Sequence, residues 1–149
     1  MERLESSFVI EEFIRGIGLT KTLKDSHGSE SFIVDDMLVV IQDNPEEKCI
    51  ECFSFIGEIP ASSEKLLETL LEANFLFRQT GGATIGLSKA TRVATLFYRI
   101  PTTDLTTSRF FEQMEHFINV SYHWKLRIEE MSGEIPSETS LSYDNTLRV

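Results

Sequence analysis

The sequence predicts one α+β domain in the order α-β-β-β-α-β-β-α, with a twisted antiparallel sheet and flanking helices. Three observations support this prediction. The length of 149 residues suits a single hydrophobic core. Runs of β-branched and aromatic residues alternate with short turns, and three longer segments have apolar residues at helical spacing. Strands joined by short turns pair antiparallel, and helices kept apart from them are typical of the α+β class.

The first predicted helix covers about residues 2–17 and ends at Gly16-Ile17-Gly18. At the helical step its apolar side chains separate into two faces. The broader face is expected to pack on the core, and it consists of Val9, Ile10, Phe13, Ile14 and Ile17. Leu4 and Phe8 fall on the opposite side among charged residues. Two interpretations stay open for this pair, scattered surface apolar residues or a contact with a partner.

Three strands are predicted next. Two β-branched runs, Ser31–Val34 and Met37–Ile41, flank the acidic pair Asp35-Asp36 and predict a hairpin. After a turn at 44–47, the third strand covers Cys49–Ile56. Alternation along this strand puts Phe53 and Phe55 on one face, which is therefore expected to be less polar than an ordinary outer face.

The second helix is predicted to begin after an N-cap at Ser62 or Ser63. Its apolar side chains form two adjoining stripes: Leu66, Leu70, Ala73 and Phe77, and Leu67, Leu71 and Phe75. Together the stripes cover about half of the circumference, more than a helix needs when it packs only on its own sheet. The helix is either buried on two sides within the protomer or in contact with a second subunit.

The last elements are two strands over 83–87 and 92–100, followed by a long helix that Thr106 or Thr107 caps and that ends near Met131. Its expected buried face is Phe110, Phe111, Met114, Phe117, Ile118, Trp124 and Ile128. The chain then becomes polar and rich in serine. We therefore expect a folded domain over residues 1–131 and a flexible tail over residues 132–149.

The charge balance excludes several classes of partner. The formal net charge is −10, which argues against binding to nucleic acid and against attachment to anionic membranes. No apolar run approaches the length of a membrane span, and the acidic N-terminus does not resemble a signal peptide. Two cysteines are too few for a disulfide framework. These features predict a cytoplasmic protein without membrane insertion.

Candidate chemical sites are weak. Cys49 and Cys52 form a CxxC pair, which a metal- or thiol-dependent enzyme would use, but they lie in a predicted strand and no second pair completes a zinc site. His116 and His123 are two helical turns apart, too far for shared chelation. The glycines of the Thr80–Ala83 turn lack the lysine of a phosphate-binding loop. The sequence therefore predicts no catalytic residues, no metal and no cofactor.

A more specific pattern covers the centre of the chain. Its parts are Phe55–Pro60, Leu66-Leu67, Leu70–Asn74 and Thr80–Leu87. They resemble the central signature of the class I type III secretion chaperones, the Tir-chaperone family, and the ANxxxxxTGGATxGL string over residues 73–87 is the discriminating piece. The similarity extends over about residues 4–128. Cys52 and Ser54 depart from it, because leucine and alanine are common there, and residues 21–30 lack the usual proline.

The resemblance implies a homodimeric, cytoplasmic bacterial chaperone without ATPase activity. Such a chaperone binds the N-terminal region of one or more type III secretion effectors in extended form and keeps them stable and competent for secretion. The secretion-system ATPase and sorting components are further candidate partners. The alternative is an adaptor or regulatory protein of the same fold that binds a folded partner or a component of the secretion machinery.

The resemblance also suggests which residues act. The dimer interface of the family centres on the second helix, so the expected interface residues are Leu66, Leu67, Leu70, Leu71, Asn74 and Phe75. The cargo surface of the family involves the first helix and exposed sheet faces, commonly with a cargo strand added to the sheet. The expected effector-binding residues are Leu4, Phe8, Phe32, Val34, Leu38, Phe53 and Phe55.

Overall fold

The computed structural model describes residues 6–18, 22–26 and 28–133. Its elements are α1 (Ser6–Gly16), β1 (Leu23–Lys24), β2 (Glu30–Val34), β3 (Met37–Asn44), β4 (Cys49–Glu58), α2 (Glu64–Asn74), a 3₁₀ turn (Phe75–Phe77), β5 (Thr84–Leu87), β6 (Val93–Pro101) and α3 (Thr107–Met131). The α+β class and the predicted order of elements are confirmed. The two-residue strand β1 was not predicted. The predicted tail lies almost wholly outside the described residues, so the boundary after residue 131 stays a prediction.

The strands form one antiparallel sheet in the order β1-β2-β3-β4-β6-β5. The predicted hairpin is confirmed, because Val34 pairs with Met37 across a two-residue turn. Asp35 and Asp36 both have positive φ angles, 48° and 60°, as the tight turns that match strand twist require. β6 pairs with β4, so β5 is left at the edge of the sheet.

The inner face of the sheet packs against α3, and this contact accommodates Cys52 and Ser54, two of the departures from the family pattern. The thiol of Cys52 lies 3.4 Å from the sulfur of Met114. Ser54 donates a hydrogen bond of 2.7 Å to the hydroxyl of Ser121, which in turn donates to the carbonyl of Phe117. Each polar substitution therefore has a partner on the helix, which is what burial of such a group requires.

The helix α1 packs beside α3 through an aromatic cluster. The ring of Phe13 lies 5.6 Å from that of Phe110, 5.2 Å from that of Phe111 and 6.1 Å from that of Phe32. At Gly16 a β-carbon would lie 2.5 Å from the ring of Phe111, so the absence of a side chain permits the close approach of the two helices. Within the predicted apolar face, Val9, Ile10 and Phe13 are buried as expected, whereas Ile17 lies past the helix end and is 39% exposed.

The carboxamide of Asn74 holds the end of α2 against the edge strand β5. Its oxygen accepts a hydrogen bond of 2.8 Å from the backbone N–H of Ile85, and its nitrogen donates one of 3.0 Å to the carbonyl of the same residue. The side chain therefore satisfies one residue of the sheet edge as a further strand would.

The glycine turn that precedes β5 is fixed against α3. The N–H of Ala83 bonds to the carbonyl of Thr80, and Gly81 and Gly82 have φ angles of 59° and 92°, a conformation that favours glycine. A β-carbon on Gly81 would collide with the ring of His116. The indole N–H of Trp124 donates a 2.8 Å hydrogen bond to the carbonyl of Gln79. These residues therefore form a structural turn.

Both cysteines are free and buried in the sheet. Their spacing of three residues along β4 puts them on opposite faces. Burial raises the pKa of the Cys52 thiol far above its usual range, with smaller contributions from Cys49 and Glu51. The pKa of Cys49 is raised as well, first by burial and then by Glu51. Both thiols are thus kept in the protonated, unreactive form.

We expect Asn74→Ala to lower the free energy of unfolding by about 1–3 kcal/mol, because it leaves the N–H and carbonyl of Ile85 without their partner. Chemical denaturation followed by circular dichroism measures the change. Asn119→Ala, at an exposed position of α3, is the matched control and should change stability by less than about 0.5 kcal/mol. Equal denaturation midpoints for the wild type and the Asn74 variant would show that the hydrogen bonds contribute nothing.

We expect neither thiol of the native protein to react with an aromatic disulfide reagent at a pH just below the ordinary thiol value of 9.0, and both to react in denaturant. Because the native pKa of Cys52 is raised, the folded state retains the proton as the pH rises through the unfolded value. The free energy of unfolding should therefore fall above that pH. Cys49→Ser isolates the reaction of Cys52. Rapid labelling of this folded variant would contradict the buried, protonated state.

Candidate binding surfaces

Two apolar surfaces of the described chain have no covering element. The first lies at the end of α2 and is called the α2 cluster. It consists of Leu67, Leu71, Phe75, Leu76 and Phe77. Four of these side chains are strongly exposed: Leu71 at 71%, Phe75 at 64%, Leu76 at 62% and Phe77 at 52%. Large neighbouring apolar side chains at this exposure are unusual on a monomer and are typical of an interaction surface.

The structure divides the predicted dimer-interface residues into two groups. Leu66 and Leu70 are only 3% and 5% exposed, so they belong to the core of their own protomer and are not free for another subunit. The carboxamide of Asn74 is engaged with β5. Leu67 is partly buried against the core, whereas Leu71 and Phe75 are exposed. Of the two open explanations for the wide apolar arc, burial within the protomer holds for Leu66, Leu70 and Ala73 of one stripe.

Sequence reasoning named neither Leu76 nor Phe77 as an interface residue, and it placed Phe77 in the stripe of Leu66 and Leu70. The prediction continued the helix through Phe77, whereas α2 ends at Asn74 and a 3₁₀ turn follows. Leu76 and Phe77 both have φ of 55°, a left-handed conformation that costs about 1–2 kcal/mol for a residue with a β-carbon. Strain of this kind in an exposed apolar segment is typical of functional surfaces.

The second surface is the face of the sheet opposite the helices, called the outer-face strip. Alternation and register place six apolar side chains on it, and they are Ile33, Leu38, Val40, Phe53, Phe55 and Phe97. Ile33 is 66% exposed, Phe55 41% and Leu38 39%. The rings of Phe53 and Phe97 stack with centroids 5.7 Å apart. The low polarity that the sequence predicts for this face is thus observed.

The structure brings together Leu38, Phe53 and Phe55 of the predicted effector-binding residues and separates two others from them. Phe32 is 2% exposed and contacts Phe13, and Val34 packs against the core. Both residues were expected to bind effector, whereas the exposed position between them is Ile33. Pairing of Phe32 with the buried Val39 fixes this orientation, and no signal within the five-residue strand could have fixed it.

The first helix contributes one exposed apolar side chain to the described surface. Phe8 is 45% exposed and lies on the side of α1 away from Val9 and Ile10, as predicted. Its neighbour Ser7 is exposed as well. Leu4, the other residue predicted for this patch, lies outside the described residues.

A cleft of about 190 Å³ opens where the outer-face strip ends. Its lining includes Asp36 from the β2–β3 turn, Phe55 and Glu58 from β4, and Lys125 and Glu129 from α3. The ammonium group of Lys125 lies 2.6 Å from a carboxylate oxygen of Glu129. Since Phe55 belongs to both surfaces, the cleft and the strip are continuous.

Metal binding and membrane crossing find no support in the residues that the structure describes. In the ranges that the structure describes, no group of three or more histidine, cysteine and acidic side chains is placed to hold a metal ion. The ring nitrogen Nε2 of His116 contacts the carbonyl of Gly81 at 3.3 Å, a structural role. None of the described helices is both long and apolar enough to cross a membrane.

Comparison with known proteins assigns the family. The model of the Tir chaperone protein (CesT) family matches residues 9–125. The Tir chaperone of Citrobacter freundii is 21% identical over 110 residues, which cover 74% of this chain and 70% of the relative.

Solved structures of low sequence identity share the fold. The structure of the ExsC–ExsE complex includes a chain with a TM-score of 0.69 and 19% identity, with 82% of this chain and 92% of the other covered. For the HopA1–SchA chaperone–effector complex the TM-score is 0.62 and the identity 15%, with 80% and 95% covered. Because the family model spans most of its length, the chain belongs to the Tir chaperone protein (CesT) family, which comprises non-enzymatic chaperones of type III secretion that bind effectors.

Proposed function

We propose that this protein is a cytoplasmic, homodimeric chaperone that binds the N-terminal region of one or more secreted effectors in extended form and keeps them competent for secretion. The observation that carries the proposal is the outer-face strip, where Ile33, Leu38 and Phe55 are exposed on an ordered sheet. A surface of this kind offers apolar burial to a chain that has not folded. The partner then loses its conformational freedom only on binding.

The edges of the sheet support the same function. On the β5 edge the backbone of Ile85 is already bonded to Asn74. On the opposite edge β1 pairs only with Glu30 and Ser31. Within the described residues, the rest of β2 has no partner strand on that side. An extended cargo segment can therefore add to the sheet along β2, the binding mode known as β-augmentation, and reach the exposed Ile33.

The α2 cluster is our proposed dimer interface, with Leu67, Leu71 and Phe75 from the predicted residues and Leu76 and Phe77 added. Burial of these side chains against a second copy would remove apolar surface from water and offset the strain at the two left-handed residues. A two-fold axis lets the same patch serve both protomers. Leu66 and Leu70 support the interface from within the protomer core.

We expect Leu71→Asp combined with Phe75→Asp to convert a dimer into a folded monomer, because the two exposed side chains contribute nothing to the protomer core. Light scattering coupled to size exclusion gives the mass, and circular dichroism reports the fold. Leu23→Asp, at a residue 79% exposed on the opposite edge of the sheet, is the matched control and should remain dimeric. A folded dimer of unchanged mass in the double variant would rule out this interface.

We expect Phe55→Asp to weaken cargo retention about tenfold or more while the protein stays folded, since it places an unpaired charge in an apolar contact. Phe8→Asp tests the contribution of α1 in the same assay, and Ser7→Asp on the same helix is its control. The assay is affinity of the purified chaperone for its co-purified effector. If the Phe55 variant bound the effector with unchanged affinity, the outer-face strip would not contribute to cargo binding at this residue.

Identification of the partner distinguishes the proposed chaperone function from the alternative adaptor function. The protein encoded beside this chain and the proteins that co-purify with it from the native cytoplasm are the candidates. Limited proteolysis of the complex should leave an extended N-terminal segment of the partner protected. Protection of a folded domain instead would favour the adaptor or regulatory function.

A further inference from the structure

We propose that the cleft at the end of the outer-face strip is a subsite for an arginine or lysine side chain of the bound segment. The preferred cargo sequence would then pair an apolar residue on the strip with a basic residue beside it. This inference rests on the proposed function and adds a specificity to it. It concerns which effector segments the protein selects.

The first argument is the charge of the cleft. Its lining holds the carboxylates of Asp36, Glu58 and Glu129 and the ammonium group of Lys125. Lys125 is already paired with Glu129 at 2.6 Å. Asp36 and Glu58 are exposed, and neither forms an ion pair within the described part of the chain. The lining therefore carries a net formal charge of two negative units, which a cationic side chain would complement.

The second argument is the contrast with the other end of the strip. There the acidic residue is Glu51, and its carboxylate already lies 3.3 Å from the guanidinium of Arg99 and accepts a hydrogen bond of 2.9 Å from Asn44. Arg99 also lies over the ring of Phe97 at 5.6 Å. The acidic side chain on the strip at that end is thus already paired within the protomer, although Glu46 and Glu47 of the nearby turn are exposed. Among the described residues, the carboxylates without an ion pair that line a cleft beside the strip are those of Asp36 and Glu58.

The third argument is that the cleft is continuous with the outer-face strip. Phe55 is 41% exposed and lines both the strip and the cleft. Lys and Arg carry long apolar stems, so such a residue can lay its stem along the Phe55 ring while its charge enters the cleft. The pairing register of β4 shifts at a bulge between Phe55 and Gly57. Bulges of this kind change the direction of the side chains beside them.

A peptide selection tests the inference without knowledge of the natural effector. The full-length protein selects from a phage-displayed random library of about 12 residues, a length that reaches about 40 Å when extended and so spans the strip. The same library is selected against the variant Asp36→Asn with Glu58→Gln. The matched control is Glu46→Gln with Glu47→Gln, which removes the same charge from the exposed turn at the opposite end of β4.

We expect peptides selected by the wild type and by the control to be enriched in Arg or Lys next to an apolar residue, and those selected by the cleft variant to keep only the apolar preference. For one selected peptide carrying fluorescein, replacement of its basic residue by Ala should weaken binding about three- to tenfold to the wild type and less than about twofold to the cleft variant. Added salt should reduce this difference. Phe55→Ser should weaken binding of the peptide to both proteins.

Equal frequencies of basic residues in peptides from the wild type and the cleft variant would overturn the inference. The inference would also be overturned if the selected peptides bound the Phe55→Ser variant with unchanged affinity, or if the selection yielded no peptide. None of these results tests the proposed chaperone function. That function is tested by limited proteolysis of the complex, which shows whether an N-terminal segment of the co-purified partner is protected. The opposite result is also possible: proteolysis could show no protected N-terminal segment in the partner while basic peptides are still selected. That result would contradict the proposed chaperone function and leave the cleft subsite supported.

Discussion

Two hydrogen bonds between the Asn74 carboxamide and the backbone of Ile85 fix the relation of α2 to the sheet. They end the helix, satisfy part of the edge strand β5 and set where the next residues emerge. The 3₁₀ turn that follows presents Phe75, Leu76 and Phe77 to solvent. One amide side chain therefore closes one edge of the sheet and positions the α2 cluster.

The remaining architecture follows from the two unequal faces of the sheet. The inner face is covered by α1 and α3, and the hydroxyl of Ser54 is paired there with that of Ser121. The outer face retains exposed aromatic and aliphatic side chains, which a solitary stable protein would not keep. The high negative charge of the chain opposes self-association through this face. The protein thus combines a packed interior with an exposed apolar surface on the other side of the sheet.

Most of the fold could be predicted from the sequence, because strand alternation and helical periodicity are local signals. The Asp35-Asp36 hairpin was correctly placed, Thr106 caps α3 as one of the two predicted candidates, and the predicted stripe of α1 is buried at Val9, Ile10 and Phe13. The residues of the binding surfaces were predicted less well. A five-residue strand shows the period of its side chains but does not show which set faces the helices. The buried Phe32 was therefore named as a binding residue, and the exposed Ile33 was not named.

What the sequence determined by itself is the α+β class, the order of its elements, the absence of a recognisable catalytic pattern and the family signature over residues 73–87. Each of these depends on residues that are close together in the chain. Only the tertiary structure decided that Leu66 and Leu70 belong to the core, that Leu76 and Phe77 are exposed, and that Asp36 and Glu58 meet beside Phe55. These outcomes depend on contacts between distant segments, where helix ends and strand register set what is buried and what remains free to bind.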